Sequence, residues 1–345
     1  MMKPQRLRRG DQVAIVSLSR GLLGEKPLVH KYEIAKSRLE ADYGLRVKAM
    51  PNALKGVDYL YRHPQARAQD LMEAFADPSV KAIFNAIGGD DTIRLLPYID
   101  FDVIRRNPKI FTGFSDTTTN HFMMYKAGLV SYYGLSVMCQ LGEYTAINEY
   151  TRAAMEKTLF DPQPTLDILC SPFCSYECDT IWWKEENQNL PTPRFPNTGY
   201  ELLQGEGIAV GKLLGGCIDV FPDMQGTPLW PSPEQWKDKI LLIETSQYDM
   251  AAVELTWRLR NLCAQGIIGV LRGIIVGKPA VEARMESYRA AYRQVIGFEA
   301  NRPDLPILFN VNVGHAYPTG VFPLGLQYEI NCACKTLRLL EPATM

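Results

Sequence analysis

The chain has 345 residues, 46% of them apolar and 22% charged, which suffices for two domains with a core each and is ordinary for a globular protein. Its 37 basic and 38 acidic residues leave a formal charge of -1, so no basic excess points to nucleic acid or an anionic membrane as partner. No window approaches the roughly 18–20 apolar residues of a membrane span.

In chain order, the apolar run VAIVSL (13–18) is too short for an export signal and reads as a first strand, which makes the cytoplasm the expected compartment. A helix-like stretch (31–44) follows, then a strand-like one (45–52). Residues 63–80 carry apolar positions near a 3.6-residue period, and KAIFNAIGG (81–89) is a dense apolar run closed by glycines. Further on, 109–116 reads as a strand and 117–128 as a helix. Short buried strands alternating with helices predict a Rossmann-like parallel sheet covered on both faces, an N-terminal α/β domain over 1–165. The dinucleotide fingerprint is missing, because AIGGDD (86–91) lacks its glycine spacing.

Residues 161–200 change texture, being rich in Pro, aromatics and Asn with no sustained period; 166–200 is expected to be an irregular connecting segment. From 201 order returns. Strands are expected at 207–221, 238–247 and 267–278, helices at 250–266 and 281–296, and a strand at 306–315. This second α/β domain spans 201–345. No internal repeat is evident.

Eight cysteines without an export signal read as free thiols. Cys170, Cys174 and Cys178 stand four apart and would align three thiolates on a helix. Pro172 and the neighbouring aromatics fit a helix poorly and no His is close in sequence, so no metal is expected there.

In a parallel α/β domain, reactive groups collect where strands end and helices begin. Ser115, in the stretch GFSD, stands at such a point. The stretch is not the Gly-x-Ser-x-Gly elbow of hydrolases, and a helix cap is the competing reading. A serine nucleophile needs a base, and only four histidines exist: His30, His63, His121 and His315. His315 ends the apolar stretch ILFNVNVG and precedes a loop, which suits a base arriving from another element; a solvated loop residue is the alternative. Glu244 closes KILLIE, where a charge gains nothing unless exposed or employed, and is the candidate to orient an imidazole. Gly88 and Gly89 form a small-residue turn that would let backbone amides approach an oxyanion.

Six stretches, AIGGDDTIRLLPYID (86–100), NPKIFTGFSDTTT (107–119), SYYGLSV (131–137), GKLLGGCIDV (211–220), LLIETS (241–246) and NVNVGHAYP (310–318), together resemble the LD-carboxypeptidase family of serine peptidases and, within it, the microcin C immunity branch. The resemblance implies two α/β domains with the active site at their interface, in a homodimer, without cofactor or metal. It implies a Ser115–Glu244–His315 triad, with an oxyanion hole from the amides of Gly89 and Asp116. Gly88, Asp90, Asp91 and Thr92 become candidate substrate contacts, the acids serving a substrate amino group. In the immunity branch, loop tryptophans stack on the adenine of a toxic aminoacyl nucleotide, which points to Trp182 and Trp183; anchoring the loop is their alternative role. Cys217 stands where the family often has Asn. The expected function is cleavage of the amide between an acidic aminoacyl group and a nucleotide-like moiety. The alternatives are removal of a terminal D-amino acid from a muramyl tetrapeptide, and a non-enzymatic two-domain binding protein.

Overall fold

The computed structural model describes residues 1–176 and 181–345; Cys178, the third of the evenly spaced thiols, lies outside them. Gln12–Val16 is buried at four of its five positions and pairs in parallel with Arg46–Ala49 on one side and Val80–Asn85 on the other. Ile110–Gly113 and then Ser131–Tyr133 extend the sheet in the same sense. The chain therefore builds outward in one direction from its first strand and then in the other. The strand ends on either side of such a reversal leave a crevice. Ser19, Gly88–Gly89 and Ser115 all lie just beyond carboxyl ends of these strands.

The second sheet has eight strands around a parallel core of Ile208–Cys217, Lys239–Glu244, Gly273–Gly277 and Ile307–Val311. In that core Cys217 and Glu244 are register partners at the strand ends. Each sheet borrows an edge strand from the other half of the chain. Phe322–Leu324 pairs antiparallel with Ser131–Tyr133 in the first sheet, and Leu166–Ile168 pairs with Thr336–Leu339 in the second. Two α/β domains with mixed sheets are the result, stitched together by the exchanged edge strands.

The helix after Ser115, Thr118–Ala127, is tied to the second domain by Phe122. Its ring stacks on Trp230 at 5.6 Å and lies 6.0 Å from Phe221 and 6.2 Å from Trp236. Buried aromatic packing of this size fixes how the serine turn faces the other sheet.

Two expectations need revision. Ile267–Val270 is a helical turn, not strand, and only Gly273–Gly277 of that stretch joins the sheet. Gly266 ends the preceding helix in the left-handed conformation, and Ile267 and Ile268 are buried either way, so a four-residue apolar run does not reveal its state. The connecting segment also holds more order than its composition suggests. Phe173–Cys174 pairs with Phe195–Pro196, and Ser175 N–H donates to Tyr317 O at 2.9 Å. Cys174 sits on that strand, so the helical alignment of thiols does not arise.

Candidate active site

Ser115 follows Ile110–Gly113 and opens a single 3-10 turn, Ser115–Thr117, that runs into the helix. Its φ is 64°, a left-handed conformation that a non-glycine residue adopts at a cost of order 1–3 kcal/mol. The turn is a sharp strand-to-helix elbow although the sequence lacks the second glycine. Thr117 takes that place and packs against Gly113, where a Cβ would fall 2.4 Å from the Thr117 methyl. The GFSD stretch thus sets a half-buried serine of the cleft wall on a strained turn and is not a helix cap; the residue before the helix proper, Thr117, makes no side-chain capping bond.

From the second domain, Glu244 ends its strand fully enclosed, with 1% of its surface exposed. Its Oε2 meets His315 Nδ1 at 2.7 Å, and its Oε1 accepts from the Tyr133 hydroxyl. Gly314 permits this: at φ 93° it has no Cβ, and one built there would lie 2.4 Å from Glu244 Oε2. Phe114 presents its edge to the His315 ring at 5.0 Å. The Tyr133 oxygen in turn accepts the Ser115 N–H at 3.1 Å, so one hydroxyl links the serine turn to the Glu244–His315 pair across the domain boundary. The other histidines are structural. His121 is buried between Ser131 Oγ and Gly113 O, with burial driving its pKa down to about 4. His30 meets the Tyr144 hydroxyl, and His63 meets Tyr59 O.

Gly88 lies against the serine: a Cβ there would sit 2.9 Å from Ser115 Oγ and 3.1 Å from Asp116 N. The Asp116 carboxylate is buried and accepts on one oxygen from Ser19 Oγ, Thr92 Oγ1 and the amides of Asp91 and Thr92. Burial raises its pKa against those bonds. Asp116 therefore ties the serine turn to the 89–92 loop. The side chains of that loop are not where the sequence reading put them. Asp91 is held by Arg67, 2.6 and 3.0 Å away, and by Arg94 at 2.9 Å. Thr92 is buried on Asp116, and Asp90 points to solvent with Arg20 at 2.9 Å. None of the three lines the cleft, and the Asp91 charge is met by Arg67 and Arg94.

The cleft between the domains encloses about 330 Å³ and is walled by Gly88, Gly89, Ser115, Trp182, Trp183 and His315, among others. Trp182 is 4% exposed and its indole N–H donates to Thr192 Oγ1, which donates to Glu143. It shows the cleft an edge while anchoring the connecting segment. Trp183 is half-buried and free of that anchoring network. Sequence reasoning missed Arg20, Gln140, Gln247 and Tyr248, which also line the wall. Their only signal was position after a strand end, as with Arg20 following Gln12–Val16.

Residues 13–134 match the LD-carboxypeptidase N-terminal domain and 210–330 the LD-carboxypeptidase C-terminal domain. A putative carboxypeptidase of Treponema pallidum is 31% identical over 79% of this chain and 77% of its own. The microcin C7 self-immunity protein MccF of Escherichia coli is 28% identical over 85% of this chain and 84% of its own. A solved MccF-like protein from Streptococcus pneumoniae, in complex with AMP, superposes with a TM-score of 0.88 at 33% identity, covering 96% of this chain and 98% of its own.

One expectation is overturned by these relatives. An active-site mutant of the microcin C7 self-immunity protein, 22% identical and of the same fold, alters a serine, an asparagine and a lysine, which is not the Ser–Glu–His set expected above. A physical reason is at hand. Proton transfer is one task of such a site, and holding an acidic, nucleotide-bearing ligand is another, for which an amide and a cation are suited. Here Ser115 stands on the cleft wall, and among the described residues that line it the cation is Arg20. With both family domains matched over most of its length, the chain belongs to the LD-carboxypeptidase family and is a serine peptidase.

Proposed function

We propose that the cleft hydrolyses the amide of an aminoacyl nucleotide whose acyl group is acidic, with Ser115 as the nucleophile. The carrying observation is Ser115 itself, held at φ 64° on a wall that also offers a cation and an indole face. Ser115 Oγ attacks the carbonyl, and the amides of Gly89 and Asp116 receive the developing oxyanion. The amine leaves, and water then releases the acyl group from the serine. His315 stands on the same wall, its Nδ1 held by Glu244 at 2.7 Å.

Arg20 suits the acidic group's carboxylate, since its partner Asp90 is exposed and exchangeable. Trp183 offers a face to a planar base, a contact worth about 1–3 kcal/mol. The ligand class is supported by the microcin C7 self-immunity protein solved with aspartyl sulfamoyl adenosine, and by a tryptophan variant of it solved with adenosine monophosphate. Seven described cysteines without a disulfide suit a reducing compartment such as the cytoplasm.

The test is to incubate wild type and Ser115→Ala with aspartyl sulfamoyl adenosine and, in parallel, a muramyl tetrapeptide ending in D-alanine, and to follow products by mass spectrometry. The nucleotide should be cleaved, with a loss on the order of 10⁴-fold or more in Ser115→Ala. Serine-dependent cleavage of the tetrapeptide alone would overturn the ligand class.

A further inference from the structure

We infer that Cys217, Glu244 and His315 form a binding site for a thiophilic divalent cation, zinc being the best match, and that filling it silences the cleft. A sulfur, a carboxylate oxygen and an imidazole nitrogen from these three residues all lie within 4.8 Å of one another. The fold builds the arrangement from three separate pieces. Parallel register sets Cys217 directly beside Glu244 at the ends of adjacent strands. Gly314, lacking a Cβ, lets the 314–315 loop close on the Glu244 carboxylate and deliver the imidazole.

Zinc binds sulfur at about 2.3 Å and nitrogen or oxygen at about 2.0–2.2 Å, which places neighbouring tetrahedral ligands roughly 3.3–3.6 Å apart. The ligand atoms lie up to 4.8 Å apart, so the widest pair must close by roughly 1.2–1.5 Å, shared between the side chains. Of the three ligands His315 lines the cleft, while Cys217 and Glu244 lie buried behind it, so an ion enters past the imidazole. The Cys217 thiol lies 3.4 Å from Asp219 Oδ2, a long sulfur contact that a metal–sulfur bond would replace. Binding proceeds by exchange: the metal–sulfur bond forms, the thiol proton leaves to solvent, and His315 binds as neutral imidazole. The His315–Glu244 hydrogen bond is lost in the process, and the imidazole is drawn from its place on the wall that Ser115 shares. With asparagine at 217 the site would lack its soft ligand, so the device belongs to chains that carry cysteine there.

Metal binding stands on the geometry alone; the silencing rests on the proposed hydrolysis. Cobalt(II), titrated into metal-free wild type, should give a thiolate-to-cobalt charge-transfer band saturating at one ion per chain. The band should persist in Cys334→Ser, which removes the exposed thiol, and vanish in both Cys217→Ser and Cys217→Asn. A band that survives in a folded Cys217 variant, or none in wild type, would overturn the site. Two variants guard against one failing to fold, which the far-ultraviolet spectrum reads. In the hydrolysis arm, zinc should inhibit wild type at least tenfold more strongly than whichever Cys217 variant retains turnover. Full turnover in wild type with the cobalt-binding site saturated by zinc would overturn the silencing while leaving the site.

Discussion

Between Ser115 and Glu244 stands a single phenol. Tyr133 is fully buried, accepts the Ser115 N–H and donates to the Glu244 carboxylate, so it spans the two domains with one oxygen. Tyr133→Phe leaves a buried amide and a carboxylate oxygen without that partner. The expected cost is about 1–3 kcal/mol in urea unfolding, with kcat falling and KM little changed, because the residue positions reacting groups without touching a ligand. Gly314 is the other residue on which the geometry turns. Gly314→Ala combines a φ of 93° with a Cβ 2.4 Å from Glu244 Oε2. It should destabilise the fold by about 1–3 kcal/mol and displace His315, and activity should drop well beyond what the unfolded fraction in a melting curve explains.

At the scale of elements, the helix Thr118–Ala127 carries the serine turn on one end and Phe122 in its middle, so the catalytic position is set by packing some distance away. Phe122→Ala should cost about 3–5 kcal/mol in equilibrium unfolding and loosen the serine turn relative to the second sheet. A loss confined to stability, with kcat untouched at a temperature where the variant is folded, would argue against that coupling. Much of this was readable beforehand. The strands ending at Val16, Asn85, Gly113, Glu244 and Val311 are short apolar runs closed by turn residues; Glu244 stands out as a charge at such an end, and Ser115 and His315 as polar residues shortly after one. Other features were not readable. Phe322–Leu324 and Leu166–Ile168 swap between sheets, and a three-residue strand pairing with a partner far away in sequence leaves no periodic trace. Asp91 looked like a ligand contact because the arginine that neutralises it, Arg67, sits on a helix 24 residues earlier and is fully buried. Arg20 went unnoticed for the opposite reason: an exposed arginine near the N-terminus has no pattern until the cleft closes around it.

For the whole molecule, Glu143 joins the connecting segment to the body. It accepts from Thr192, the Tyr317 hydroxyl and Asn148 N–H, and through Thr192 it holds Trp182. Burial raises its pKa from 4.5 to about 7, outweighing those bonds. The folded protein thus binds the proton more tightly than the unfolded chain does. Its contribution is fully present below about pH 4.5 and is lost as pH rises toward about 7. Wild type should therefore lose more stability across that window than Glu143→Gln, and the difference between their melting midpoints plotted against pH is the reading. Parallel curves would mean that Glu143 does not titrate there. The same titration is expected to loosen Trp182 and the cleft wall it supports.

The central claim is that Ser115 forms a covalent bond to the acyl group. The direct measurement is acid-quenched mass spectrometry of the protein within the first turnover on aspartyl sulfamoyl adenosine, followed by peptide mapping. An aspartyl adduct on the peptide that contains Ser115, absent from Ser115→Ala, is the predicted result. Cleavage of the nucleotide that persists in Ser115→Ala, with no adduct on that peptide, would contradict the account.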